Sequence, residues 1–169
     1  MGDIGEIVNT TTQIFKILDN NVTTSMGKLA TALPKDVDAL ATDGNWVRRD
    51  HAMILPLVWP AKYPELNDDD VVNLGLIWTY GGSVNGEGRY IKDAEAFATV
   101  GHISLGYTID VSVRFADTGT PVGDEPIAMI TGTFNVRQRR TLIGELPSCV
   151  IGFTLMGDGR GTMKELKIR

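Results

Sequence analysis

Ile103-Ser104-Leu105-Gly106-Tyr107-Thr108-Ile109-Asp110-Val111-Ser112-Val113-Arg114-Phe115 alternates without a break. Every odd position is apolar, and the even ones are Ser104, Gly106, Thr108, Asp110, Ser112 and Arg114. A period of two residues puts the apolar set on one side of an extended strand, and no helix can use it. Strands with one dry and one wet face belong to antiparallel sheets. At roughly 1.5–3 kcal/mol for each fully buried side chain, this face contributes about 10–20 kcal/mol gross, before ordering entropy. It is therefore expected at the centre of an antiparallel sheet covered on one side.

The same alternation returns downstream. Ile127 to Val136 reads as a strand with Ala128, Ile130, Gly132, Phe134 and Val136 facing in. Cys149 to Met156 reads as another, with Cys149, Ile151, Phe153 and Leu155 on one face. Gly157-Asp158-Gly159-Arg160-Gly161 then reads as a hairpin turn into Thr162 to Ile168. It is not a phosphate loop, because it lacks the Lys-Ser/Thr ending and the strand-before, helix-after setting. Asp117 to Asp124 is turn chemistry.

Upstream the pattern changes. Ile4, Val8, Phe15, Leu18, Val22, Met26, Leu29 and Leu33 are spaced mostly by three or four residues, with Thr11 filling one gap. That spacing predicts one face of a helix running to Pro34. It would be about 45 Å long at 1.5 Å per residue, longer than a small sheet can cover. Its threonines and Gly27 give it poor intrinsic propensity, so packing must hold it. The surface it leans on is its own sheet, a second copy of the chain, or lipid. Residues 35–50 read as a linker. Ala52 to Trp59 is a strand that Pro56 confines to an edge or a bulge. Asp68, Asp69 and Asp70 before the apolar run Val71 to Tyr80, with Gly81-Gly82 after it, predict a capped helix. Gly81 to Gly88 reads as a loop, and Ala94 to Val100 as a short turn of helix or an edge strand.

The expectation is thus an α+β fold. An antiparallel β-sheet of about 4–6 strands carries one or two covering helices and a long N-terminal amphipathic helix. The organisation is an arm (1–34), a linker (35–50) and one globular domain (51–169).

The chain has 169 residues and a net charge of −5, which argues against a protein whose main task is coating nucleic acid. The charge is uneven. From Arg137 onward seven Lys/Arg stand against three Asp/Glu, +4; residues 1–136 carry nine against eighteen, −9. A basic end on an acidic body orients a protein towards an anionic membrane or an acidic partner, or pairs with the acidic face of a neighbouring copy. Its candidate residues are Arg137, Arg139, Arg140, Lys164, Lys167 and Arg169.

His51 and His102 have no nucleophile or metal-ligand partner at a recognisable interval, and no dinucleotide fingerprint or zinc spacing occurs. Neither an enzyme nor a cofactor is expected. Cys149 stands alone, which excludes a disulfide framework within the chain. Asp3 and Glu6 replace the basic start of a signal peptide, and no apolar stretch approaches the ~20 residues of a membrane span. The chain reads as soluble and intracellular.

Taken together, residues 103–169 resemble the C-terminal half of rhabdovirus matrix proteins. The likeness rests on Gly106 to Val113 running into Asp117, on the strand through Pro126-Ile127-Ala128-Met129-Ile130, on a Phe134-led basic connection, and on Val150-Ile151-Gly152-Phe153-Thr154-Leu155. The resemblance implies a viral structural protein, in the virion interior or host cytoplasm, that self-associates into a layer between nucleocapsid and envelope inner leaflet. The partners it implies are the chain itself, the viral nucleoprotein and an anionic membrane surface, with no direct nucleic-acid binding. The N-terminal stripe would then dock on a neighbouring copy. The chain departs from the family in its acidic, patterned N-terminus and in lacking a Pro-Pro-x-Tyr motif. A different class also fits the pattern: a membrane-binding or pore-forming β-sandwich with an insertable N-terminal helix.

Overall fold

The computed structural model describes residues 12–18, 27–33, 46–49, 51–59, 69–104, 106–115, 125–140, 144–145 and 148–166. Among them there is no helix. The eleven strands are β1 (Thr12–Leu18), β2 (Gly27–Ala32), β3 (Val47–Arg48), β4 (Met53–Trp59), β5 (Asp70–Val84), β6 (Glu87–His102), β7 (Tyr107–Phe115), β8 (Met129–Arg140), β9 (Gly144–Glu145), β10 (Cys149–Met156) and β11 (Gly161–Leu166). They form two antiparallel sheets. The first runs β1-β7-β8-β10-β11 with β9 paired to β8; the second runs β2-β6-β5, with β3 and β4 both on β5.

The alternating stretch folds as its period dictates. Ile109, Val111, Val113 and Phe115 are fully buried, and β7 is paired on both sides, to β1 and to β8. Ile130, Phe134 and Val136 of β8 and Ile151, Phe153 and Leu155 of β10 join them. What covers this wall is a second sheet. Its inner side carries Val72, Leu74, Leu76 and Trp78 from β5, and small residues, Ala30, Ala32, Ala94, Ala96 and Ala98, from β2 and β6. Both walls belong to one continuous core. Alanines on one wall leave room for the bulkier side chains of the other at an ordinary inter-sheet spacing of about 10 Å.

Three expectations are corrected. Where a helix over residues 4–33 is expected, the described residues of that span form two strands: Phe15 and Leu18 lie in β1, in register with Val111 and Thr108, and Leu29 lies in β2. Spacings of three and four residues occur by chance in Thr- and Ile-rich sequence, whose β-branched side chains favour a pleated surface. The helix over Val71 to Tyr80 is also a strand, and β5 continues to Val84. Both its faces are at least partly covered, so its apolar run is nearly continuous and periodicity cannot separate it from a buried helix. Asp70 caps nothing. It is buried, accepting hydrogen bonds from the Ser104 backbone N–H (2.6 Å) and from Gln138 Nε2 (2.5 Å), which ties β5 to β8 of the facing sheet. Finally, Ala94 to Val100 belongs to β6, an interior strand between β5 and β2. The fold is accordingly all-β rather than α+β.

The stretch expected to be a loop, Gly81 to Gly88, is mostly strand. Asn85 and Gly86 have φ of 52° and 77°, and Val84 pairs with Glu87. This is the two-residue turn with both central residues left-handed, whose twist matches that of the flanking strands. Pro56 is where its chemistry sends it, in β4, which pairs with β5 alone.

Candidate functional site

The two outer faces of the sandwich differ most at the free edge of the second sheet. On the first sheet, even positions of β7 and β10 and odd positions of β8 point outward. They carry Thr108, Asp110, Ser112 and Arg114, then Thr131, Thr133, Asn135, Arg137 and Arg139, then Val150, Gly152 and Thr154. Thr162, Lys164 and Leu166 of β11 complete the rows. Among the described side chains this face is hydroxyl- and amide-rich, cationic, and without an aromatic ring. Its one carboxylate, Asp110, is paired with Arg139 at 3.3 Å.

On the second sheet the outward residues of β4 are Ile54, Pro56 and Val58, with Ile54 47% and Val58 54% exposed. They stand in register with Gly75, Asn73 and Val71 of β5. Phe97, opposite Gly75 on β6, lays its ring over that glycine, where a Cβ would collide with it. The apolar part of this face is its β4 edge, a position where natural strands usually carry charge; further in, Asn73, Thr99 and the Arg48–Glu95 pair make it polar.

The expected site residues are distributed as follows. Arg137, Arg139 and Lys164 come together on the outer face of the first sheet, and Arg140 closes β8 opposite Tyr107. Lys167 and Arg169 lie outside the described residues, as do Ile4, Val8, Val22 and Met26. Leu33 is half-buried against the core. Arg114 was not among the candidates. Its even position in the alternating strand puts it on the wet face, and the pairing of β7 with β8 makes that the face of Arg137.

The turn between β10 and β11 is clamped to the second sheet. Gly157 O accepts from the Gly81 N–H of β5, while the Gly157 N–H donates to Ala128 O at the head of β8 in its own sheet. Arg49 lies 4.4 Å over the Trp78 ring and donates from Nη1 to Gly159 O, while Trp78 Nε1 donates to Met156 O. Asp158 bonds the backbone and guanidinium of Arg160. Burial pushes its carboxyl up, but the Arg160 contacts, with Arg89 adding, hold it below the usual range. An open hollow of about 500 Å³ beside this turn is lined by Arg49, Thr154, Met156, Gly159, Arg160, Gly161 and Thr162. Both its arginines are already engaged, and it holds no nucleophile–base pair. It is the seam of a structural clamp.

Among the described residues no three His, Cys, Asp or Glu side chains gather where they could hold a metal. No described helix is long and apolar enough to cross a membrane. Burial pushes the Cys149 thiol up, and the charge and hydrogen bond of Glu165 push it further. A protonated thiol is a poor nucleophile. Cys149 should therefore alkylate slowly at neutral pH. Glu165→Gln should move its pH–rate profile to lower pH; an unmoved profile would leave burial as the sole cause.

Comparison with known protein families, curated proteins and solved structures finds no match to this chain.

Proposed function

We propose that this chain is a self-associating structural protein of matrix type rather than an enzyme. The observation that carries the reading is the edge strand β4, which presents Ile54, Pro56 and Val58 outward beside Phe97. Clustered exposed apolar side chains on a sheet face mark protein–protein contact. A subunit with an apolar edge strand on one side and, behind it, a cationic hydroxyl-bearing face suits a layer between two unlike neighbours. The contact surface proposed is a second copy seated on that apolar strand, in place of a docked N-terminal helix. The pore-forming alternative required an insertable helix, and residues 12–18 and 27–32 are strands.

Pro56, at the middle of β4, has no N–H to donate, so continuous edge-to-edge pairing of a further strand is interrupted there. Association through side chains of the face is the remaining route. The test is sedimentation analysis over a range of concentrations. Wild type should show concentration-dependent association, and the Ile54→Gln/Val58→Gln variant should stay at the monomer mass of 18.4 kDa. A wild type that stays monomeric at the highest concentrations, or a variant that associates as strongly, removes the reading.

A further inference from the structure

Nine Lys and Arg side chains are described, and their engagements divide them. Arg48 pairs with Glu95, Arg49 holds Gly159 O and Trp78, and Arg89 faces Glu125. Lys92 lies over Trp46, Arg139 pairs with Asp110, and Arg160 with Asp158. The remaining three, Arg114, Arg137 and Lys164, have no ion-pair or ring partner among the described residues. All three lie on the outer face of the first sheet. Random placement of spare cations would scatter them; here they share the one face lined by hydroxyls and amides.

Their spacing follows from the register. Arg114 is opposite Thr133, Thr133 opposite Gly152, and Gly152 opposite Lys164. Three strand-to-strand steps separate Arg114 from Lys164, about 14 Å. Arg137 stands four residues along β8 from Thr133, about 13 Å. Neighbouring phosphates on one strand of a duplex advance only about 3.4 Å along its axis. A groove about 12 Å wide separates the two backbones of B-form DNA. The triangle of cations is thus built on the scale of a groove. Between its corners stand Thr133, Asn135 and Ser112, side chains of the kind that donate to phosphate and sugar oxygens.

We propose that this face binds the phosphodiester backbones of a double-stranded nucleic acid, without regard to sequence. Single strands are bound on aromatic platforms, and this face has no described aromatic side chain. Membrane-surface binding seats apolar side chains in the headgroup boundary; among the described side chains of this face the exposed large apolar one is Leu166, at the sheet's edge. The net charge of −5 does not oppose the contact locally, because the one described carboxylate on the face is neutralised by Arg139. The inference is independent of self-association, which uses the opposite face.

The experiment titrates the full-length chain, and separately its Ile54→Gln/Val58→Gln form, onto labelled DNA and RNA duplexes of unrelated sequence. Three backbone contacts give a salt slope of about −2.7, so affinity should fall about 40-fold between about 50 and 200 mM salt. Arg114→Gln, Arg137→Gln and Lys164→Gln should each reduce the slope by about 0.9 and together abolish binding. Arg89→Gln, on another face, should change nothing, and circular dichroism checks that each variant keeps its sheets. Binding of DNA but not RNA duplexes, or the reverse, supports the proposal and fixes the helical form. Absence of salt-dependent duplex binding overturns it, as does binding unchanged in the triple variant. Tighter binding to a single strand, or capture only by phosphatidylserine-containing vesicles, overturns it by assigning the face to another partner.

Discussion

Gly157→Ala will destabilise the fold by about 3 kcal/mol or more, although it adds only one methyl group. The added Cβ would collide with the backbone carbonyl oxygen of Arg89. Backbone cannot swing aside as a flexible side chain can, so one of the two sheets must shift. The same residue donates to Ala128 O at 2.9 Å and accepts from the Gly81 N–H at 3.0 Å. A shift therefore strains the inter-sheet bond from Gly81 and the bond to Ala128 at the head of β8, and buried backbone groups are costly to leave unpaired. For a chain of this size the melting temperature should fall by about 6–12 °C. Gly86→Ala is the control. Nothing lies within 4 Å of its added Cβ, and the only penalty is its φ of +77°. That left-handed conformation costs an L-residue about 1–2 kcal/mol. Thermal and urea unfolding should rank the two variants in that order. Equal losses would show that the turn's seating on the second sheet contributes little.

That asymmetry between two glycines illustrates what sequence could and could not reveal. Gly86 follows Asn85 between two extended runs, a signal for a two-residue hairpin turn that is fully local. The signal is local, although the glycines around it suggest a loop. Gly157 looked like an ordinary turn residue, because the carbonyl it abuts belongs to Arg89, far away in the chain. The strands β7, β8 and β10 were legible for the same reason as Gly86. Each is dry on one side only, so parity alone sorts Val111, Phe134 and Phe153 inward.

Of the second sheet, β4 is legible as the Pro56 edge strand, and β5 is hidden because it breaks that rule. β5 is covered on both sides, and Gly75, on its outer face, lies buried beneath Phe97. The run Val71 to Tyr80 therefore shows no clean period, and acidic residues ahead of it passed for a cap. In β1 and β2 the threonines weigh against a helix and equally in favour of a strand. The cationic face was half visible. Arg137, Arg139 and Lys164 stood out as a basic end of the chain, but Arg114 joins them only once β7 and β8 are known to be neighbours.

Trp78→Ala should have the largest effect of any single substitution in the second sheet. The indole is fully buried, its Nε1 donates to Met156 O at 3.2 Å, and Arg49 covers it. Gly161 packs so closely on the ring that a Cβ there would press into it. Truncating a buried tryptophan costs about 3–5 kcal/mol from lost transfer energy and the cavity left behind. Losing the stacked guanidinium adds about 0.5–1 kcal/mol. Domains of ordinary stability hold only about 5–15 kcal/mol, so the variant should melt far below wild type or be unfolded at 25 °C. Trp78→Phe separates the contributions. It keeps a ring beneath Arg49 and most of the filled volume, while Met156 O retains the Gly159 N–H as donor. Its cost should be about 1–2 kcal/mol. Fluorescence of Trp46 and Trp59 reports unfolding in both variants. If phenylalanine proves as damaging as alanine, the indole's hydrogen bond rather than its bulk holds β10 against β5. The clamp would then be a polar device and not a packing one.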